Sequence, residues 1–166
     1  VCSPCGAGNY TSTTNALACQ VCPAGKYSGT EGVAACESCP AGKKGNASES
    51  GAISESTHCH HCAPGQAQGR DAQTVCAVCT EGTHSSAEGS ETCSECPAGT
   101  FANATGLTGC VSCPNGAYSL FPRAATCVAW TTCSPGQRVI DTGTATTNRV
   151  CSPCGAGNYT STTNAL

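Results

Sequence analysis

Residues 19–39 read CQVCPAGKYSGTEGVAACESC. A C-x-x-C pair, Cys19 and Cys22, is followed by Pro23, Gly25 and Tyr27 and then by a polar stretch. Seventeen residues after Cys19 the next pair, Cys36 and Cys39, starts the pattern again. The same pair recurs at Cys2/Cys5, Cys59/Cys62, Cys76/Cys79, Cys93/Cys96, Cys110/Cys113 and Cys151/Cys154. Almost every step is 17 residues. Cys36 to Cys59 takes 23, a six-residue insertion, and late in the chain the pair opens into Cys127-x5-Cys133. A fixed short period is the signature of a repeat architecture, in which each unit contacts mainly its neighbours.

A longer period is laid over the short one. Val1–Leu17 and Val150–Leu166 are identical, 149 residues apart. We expect residues 1–149 to be one long period of eight small disulfide units and residues 150–166 to begin the next. Both ends then read as cuts in a longer array whose precursor carries a secretory signal.

Composition explains why cysteine is needed. The 166 residues include 18 Cys, but Val, Ile, Leu and Phe together number 17 and Met is absent. That is too little bulky apolar material for one ordinary core, so cross-links must replace burial. The net charge is −3 with seven Lys and Arg, which argues against a nucleic-acid partner. No apolar run approaches the roughly 20 residues of a membrane span. The expected fold is a small disulfide-rich one, an elongated solenoid-like rod of about 17-residue units. It should contain short irregular strands and turns and almost no helix.

Within each unit one glycine is invariant in position. Gly8, Gly25, Gly42, Gly65, Gly82, Gly99, Gly116, Gly136 and Gly157 all lie three residues after their unit's second cysteine. Such a rule implies positive φ or the close approach of another strand. Two residues on, Tyr10, Tyr27, Phe101, Tyr118 and Tyr159 would cover a disulfide, while Lys44, Ala67 and His84 show the slot to be permissive.

Two pairings are open. A disulfide inside C-x-x-C tends to be strained and reducible. The other scheme joins each second cysteine to the first of the next unit: Cys5–Cys19, Cys22–Cys36, Cys39–Cys59, Cys62–Cys76, Cys79–Cys93, Cys96–Cys110, Cys113–Cys127 and Cys133–Cys151. It closes consistently and leaves Cys2 and Cys154, whose partners would lie beyond the window. Most of its loops enclose 13 residues. Chain entropy makes each worth roughly 3 kcal/mol. Spacing alone does not decide between the schemes.

The stretch CPNGAYSLFPRAATC (113–127), followed by CVAWTTCSPGQRVIDTGTATTNRVCSPC (127–154), resembles a tumour necrosis factor receptor cysteine-rich domain, at about residues 110–151. That resemblance implies the pairs Cys113–Cys127 and Cys133–Cys151. The other units, such as CPAGKYSGTEGVAACESC (22–39), are similar to ephrin-receptor-like repeats of large extracellular proteins, including surface and appendage proteins of protists and algae. The chain departs from a signalling receptor in having the three-cysteine form in one unit of eight.

Four N-x-S/T sequons stand at Asn9, Asn46, Asn103 and Asn158, of which Asn46 and Asn103 occupy the same slot of their units. They point to N-linked glycans as the only non-protein group, with O-linked sugar also open to 39 Ser and Thr. His58-Cys59-His60-His61-Cys62 is the most metal-like string. An oxidising compartment would oxidise its cysteines, so these histidines are expected to be exposed residues ending the inserted loop. No redox pair on a βαβ frame, catalytic triad or phosphate loop is present. Asp71 and Asp141 read as solvated loop acids. Trp130 and Arg138 are contact candidates, with packing of Trp130 over a neighbouring disulfide as the plainer expectation.

The expected function is non-catalytic. The chain reads as a structural extracellular glycoprotein, secreted or at the cell surface, a tandem-repeat subunit of a filament or a cell-surface or flagellar hair that associates with itself and takes no small-molecule substrate. The alternative is the ligand-binding stalk or ectodomain of a receptor or adhesin. A zinc or redox protein is the third class.

Overall fold

The structure, a computed structural model, describes residues 1–166. By its internal contacts the chain forms two compact bodies, Val1–Cys79 with Ser85–Cys93, and Thr80–His84 with Ser94–Leu166.

In both bodies the only sheets are two-stranded and antiparallel. In the first, β1 (Asn9–Tyr10) pairs with β2 (Gln20–Val21), β3 (Lys26–Tyr27) with β4 (Glu37–Ser38), β5 (Lys43–Gly45) with β6 (Cys59–His61), and β7 (Gln66–Ala67) with β8 (Ala77–Val78). In the second, β9 (Thr83–His84) pairs with β10 (Ser94–Glu95), β11 (Thr100–Phe101) with β12 (Val111–Ser112), β13 (Ala117–Tyr118) with β14 (Val128–Ala129), and β15 (Gln137–Asp141) with β16 (Val150–Pro153). The one helix, α1 (Glu55–His58), is a single turn inside the inserted loop. A disulfide-rich fold of short strands with almost no helix is what the composition predicts.

All pairs but β13–β14, where Cys133 comes late, are built the same way. The two residues between the cysteines of C-x-x-C form one strand, which lies against the two residues after the preceding glycine. A turn sets up that glycine: Lys26 N–H donates to Pro23 O at 3.0 Å with Gly25 third in the turn at φ +81°. Type II turns need φ > 0 there, which removes any Cβ. All nine equivalent glycines have φ between 76 and 91°.

The core is sulfur. Eight disulfides run from the second cysteine of one unit to the first of the next, Cys5–Cys19 through Cys133–Cys151, with Cys2 and Cys154 unpaired. Cys22, Cys39, Cys62, Cys96 and Cys133 are fully buried. Small residues fill one slot in these units, six places after the second cysteine: Ser28, Gly45, Ser85, Ala102 and Ser119 are all buried. The serines satisfy their buried hydroxyls locally. Ser28 Oγ donates to Thr30 O at 2.9 Å and Ser119 Oγ to Phe121 O at 2.8 Å.

Successive units hydrogen-bond through backbone. Gly8 N–H donates to Ser28 O at 2.8 Å and Gly42 N–H to Gln68 O at 2.7 Å in the first body. Gly82 N–H to Ala102 O and Gly99 N–H to Ser119 O, both 2.9 Å, repeat this in the second. A second contact reaches two units on. The α-face of Gly8 lies against Gly51 O, that of Gly25 against Ala72 O, of Gly42 against Gly89 O, and of Gly82 against Arg123 O. Gly99 lies against Ala145 and Thr146. The approaching residues Gly51, Ala72, Gly89 and Arg123 themselves have positive φ, 59 to 75°. A glycine socket filled by the carbonyl of a left-handed residue thus recurs at Gly8, Gly25, Gly42 and Gly82, while at Gly99 the Thr146 and Ala145 side chains take that place.

Candidate functional site

Three places break the monotony of the repeat, and each follows from a local departure in sequence.

The first is the six-residue insertion after Cys39. It folds back on the second unit, where Ala52 bridges Tyr27. Lys43 Nζ donates to Glu55 Oε1 at 2.7 Å, and that cation holds the Glu55 carboxyl below its usual range. Tyr27, opposite Glu37 in the β3–β4 pair, donates its hydroxyl to Glu55 Oε2 at 3.4 Å. Hydrogen bonding to Glu37, then burial, then the two carboxylate charges push the phenol up to about 12. His58 corrects the expectation of exposure. Its side chain is completely buried, whereas His60 and His61 are exposed. Gly45, which takes the small-residue slot, makes the room: a Cβ there would stand 2.8 Å from His58 Nε2. Nδ1 lies 3.4 Å from Glu49 Oε2, and Nε2 has no partner. The coincidence of a glycine in that slot with an inserted loop was the available signal.

The second is the unit opening at Cys127. Trp130 N–H donates to Gly116 O at 2.7 Å. The second cysteine makes that bond elsewhere, as Cys96 N–H does to Gly82 O at 2.9 Å. Trp130 thus takes the backbone position of a second cysteine, and Cys133 arrives three residues late. The indole has partners beyond the disulfide expected for it. Its ring abuts Gly143, its Nε1–H donates to Thr144 O at 2.9 Å, and the Arg149 guanidinium lies 5.3 Å from its centroid. Asn148 and Thr131 lock the clasp, with Thr131 N–H to Asn148 Oδ1 at 2.8 Å and Asn148 Nδ2 to Thr131 Oγ1 at 2.7 Å. Arg138 has separate company. It is exposed on β15 and bridges Ala165 beside an open hollow of about 450 Å³ that Cys154 and Tyr159 also line.

The third is the loop SLFPR after β13. Other units carry small, polar or charged residues there, such as Gly29-Thr30-Glu31-Gly32 and Gly69-Arg70-Asp71-Ala72. Here Leu120, Phe121 and Val128 are exposed, and they share a hollow of about 300 Å³ with Tyr118 and Pro122. The sequence reading passed over this apolar loop, although it is a marked break in a polar repeat.

The remaining candidates fall at single positions. Asn46, Asn103 and Asn158 are exposed and Asn9 is half-buried. Asn46 and Asn103 each directly follow a buried small residue, Gly45 and Ala102. Asp71 is more than a solvated acid, since its Oδ1 accepts Ala41 N–H at 2.9 Å from the preceding unit. His84 Nδ1 lies 3.2 Å from Cys110 Sγ, and both sulfurs of that cluster, Cys96 and Cys110, are consumed in a disulfide, so neither is a thiolate.

Comparison with known proteins agrees with this geometry. Residues 11–56 and 82–127, more than half the chain, match the family described as tyrosine-protein kinase ephrin type A/B receptor-like. The chain belongs to the ephrin type A/B receptor-like family. Within this ephrin-receptor-like chain, residues 113–151 also match the TNFR/NGFR cysteine-rich region, which is the stretch containing the displaced cysteine. No curated protein matches the chain. Both matched families are receptor-type cysteine-rich regions, and with eight disulfides they point to the extracellular space or the cell surface. No helix is long and apolar enough to cross a membrane.

Proposed function

We propose that this ephrin-receptor-like chain is a non-catalytic structural glycoprotein of the extracellular space, a tandem-repeat subunit of a filament or surface hair. The observation that carries the reading is the identity of Val1–Leu17 with Val150–Leu166 across 149 residues. Surfaces repeated at a fixed interval let one contact be made once per period, which is how open assemblies grow. The backbone docking of successive units supports it, because that docking needs no particular side chain and suits indefinite extension. We further propose N-linked glycans on Asn46 and Asn103, with Asn9 and Asn158 as additional acceptors. Enzymatic deglycosylation of native material should lower its mass.

Cryo-electron microscopy of native, unreduced material tests the reading. Filaments with an axial repeat that follows the eight-unit block are the expected result. Isolated flexible threads would overturn it. Such threads would favour the second reading, a ligand-binding receptor ectodomain, for which the TNFR/NGFR match at 113–151 and the exposed Leu120 and Phe121 speak.

A further inference from the structure

The slot two residues after the fixed glycine holds Tyr10, Tyr27, Phe101 and Tyr118 in four units and Lys44 or Ala67 in two others. In the unit after Cys79 it holds His84. Its Nδ1 lies 3.2 Å from Cys110 Sγ, within reach of a hydrogen bond to sulfur. One nitrogen of this ring and both sulfurs of the Cys96–Cys110 bridge lie within 4.8 Å of one another. A slot that elsewhere takes an inert side chain here puts a proton carrier against a disulfide, since histidine gains and loses its proton near neutral pH.

Burial gives the attack a direction. Cys96 is fully buried and Cys110 half-buried, so an incoming thiolate reaches Cys110 Sγ first. Access alone does not single out this bridge. Cys36, Cys93 and Cys127 are half-buried too, and their bridges to Cys22, Cys79 and Cys113 close loops of the same length. The histidine does single it out. Thiol exchange expels a thiolate, and it runs faster the better that thiolate is stabilised. A protonated imidazole beside the sulfurs stabilises it by charge and by handing over its proton.

We propose that Cys96–Cys110 is a thiol-exchange site, a bridge that an external thiol opens with His84 as the acid. The thiolate of a first thiol attacks Cys110 Sγ and bonds to it, and the Cys96–Cys110 bond breaks. The electron pair of that bond leaves on Cys96 Sγ, which takes the His84 proton. A second thiolate attacks the incoming sulfur of the mixed disulfide and expels Cys110 as a thiolate. Solvent returns a proton to His84, so the Cys110 thiolate is left facing an imidazolium. Two thiols become one disulfide and the two cysteines are reduced, a balance of two electrons. The thiolate–imidazolium pair stabilises the reduced form, which makes the bridge the more readily opened. The loop that it frees carries Gly99 and Ala102, whose backbone bonds to Ser119 and Gly82 join this unit to its neighbours. Exchange therefore loosens the chain at one unit.

The test uses the whole disulfide-bonded chain, with the unpaired Cys2 and Cys154 first blocked by N-ethylmaleimide. Reduced glutathione is added, samples are quenched in acid at intervals, and peptide mass spectrometry scores each bridge. Cys96–Cys110 should open about tenfold or more faster than Cys22–Cys36, Cys79–Cys93 and Cys113–Cys127, with the glutathione adduct on Cys110. Opening no faster than theirs, or an adduct on Cys96 alone, would overturn the proposal. His84→Phe and His84→Ala copy Phe101 and Ala67, which the repeat already carries in this slot, so both variants should fold with all eight bridges. In each, the opening of Cys96–Cys110 should slow to the rate of the other three. A packing role for His84 predicts the reverse, faster opening in a loosened unit. Opening that is unchanged or faster in both variants would overturn the part given to His84.

Discussion

Gly25 and Gly116 share a turn and nearly a φ, +81° and +91°, but differ in what stands opposite. A Cβ on Gly25 would lie 2.5 Å from Ala72 O, whereas one on Gly116 meets open space. Alanine at either site pays the left-handed penalty of about 1–2 kcal/mol. At Gly25 overpacking against backbone adds about as much again. Denaturant unfolding should therefore show Gly25→Ala destabilised by about 3 kcal/mol and Gly116→Ala by about 1–2 kcal/mol. Equal losses would mean that the turn alone requires the glycine. Tyr27 offers a test by pH. Its phenol is raised from 10.0 to about 12, chiefly by hydrogen bonding to Glu37, so the folded state holds that proton more tightly than the unfolded one. The resulting stability is complete below pH 10 and is lost as pH rises to about 12. Absorbance titration should show one phenol ionising at that upper limit, and Glu37→Gln should bring it down. A Tyr27 titration unaffected by Glu37→Gln would refute the assignment.

At the scale of the element, the hairpin and its disulfide form the cooperative piece. Each strand pair is two to five residues long and none would persist alone. Replacing Cys96 and Cys110 together by Ala opens a loop of 13 residues and should remove roughly 3 kcal/mol. Hydrogen exchange should then rise across 97–109, while the Gly8–Ser28 and Gly42–Gln68 bonds keep their protection, because the docking bonds reach only one or two units. Loss of protection at those bonds would show cooperativity beyond neighbours. Much of this element is legible in sequence. The interval between cysteines fixes the length of the hairpin, and the fixed glycine marks its turn. What contacts that glycine is not legible, because Gly25 and Ala72 meet backbone to backbone, 47 residues apart, with no side chain to leave a pattern. Burial of His58 was missed for a related reason. Its room comes from an absent side chain at Gly45, not from an apolar residue. Trp130 was legible as a contact candidate, but its place in a displaced cysteine's backbone position emerges only when its bond to Gly116 is seen.

For the whole molecule, order comes from repetition of one bond set and not from a central core, and the apolar side chains that an ordinary domain would bury stand largely exposed, Leu17, Phe121 and Ile140 among them. The sequence announces this through its 18 cysteines and its 17 large aliphatic and Phe residues. The disulfides also decide how the molecule carries tension. A pull along the chain passes from Cys5 across the sulfur bridge to Cys19, through two residues to Cys22, and across the next bridge to Cys36, so the 13 residues of each loop are bypassed. With 5.7 Å between bridged Cα atoms, a stretched repeat spans roughly 16 Å, against about 60 Å for the same 17 residues without the bridge. Single-molecule force spectroscopy should record short extension in the oxidised chain and a several-fold longer one after reduction. Equal extensions would mean that the bridges lie off the line of force. Bridged in this way, the backbone behaves under load as a series of short covalent links, strong in tension and with almost no slack to give.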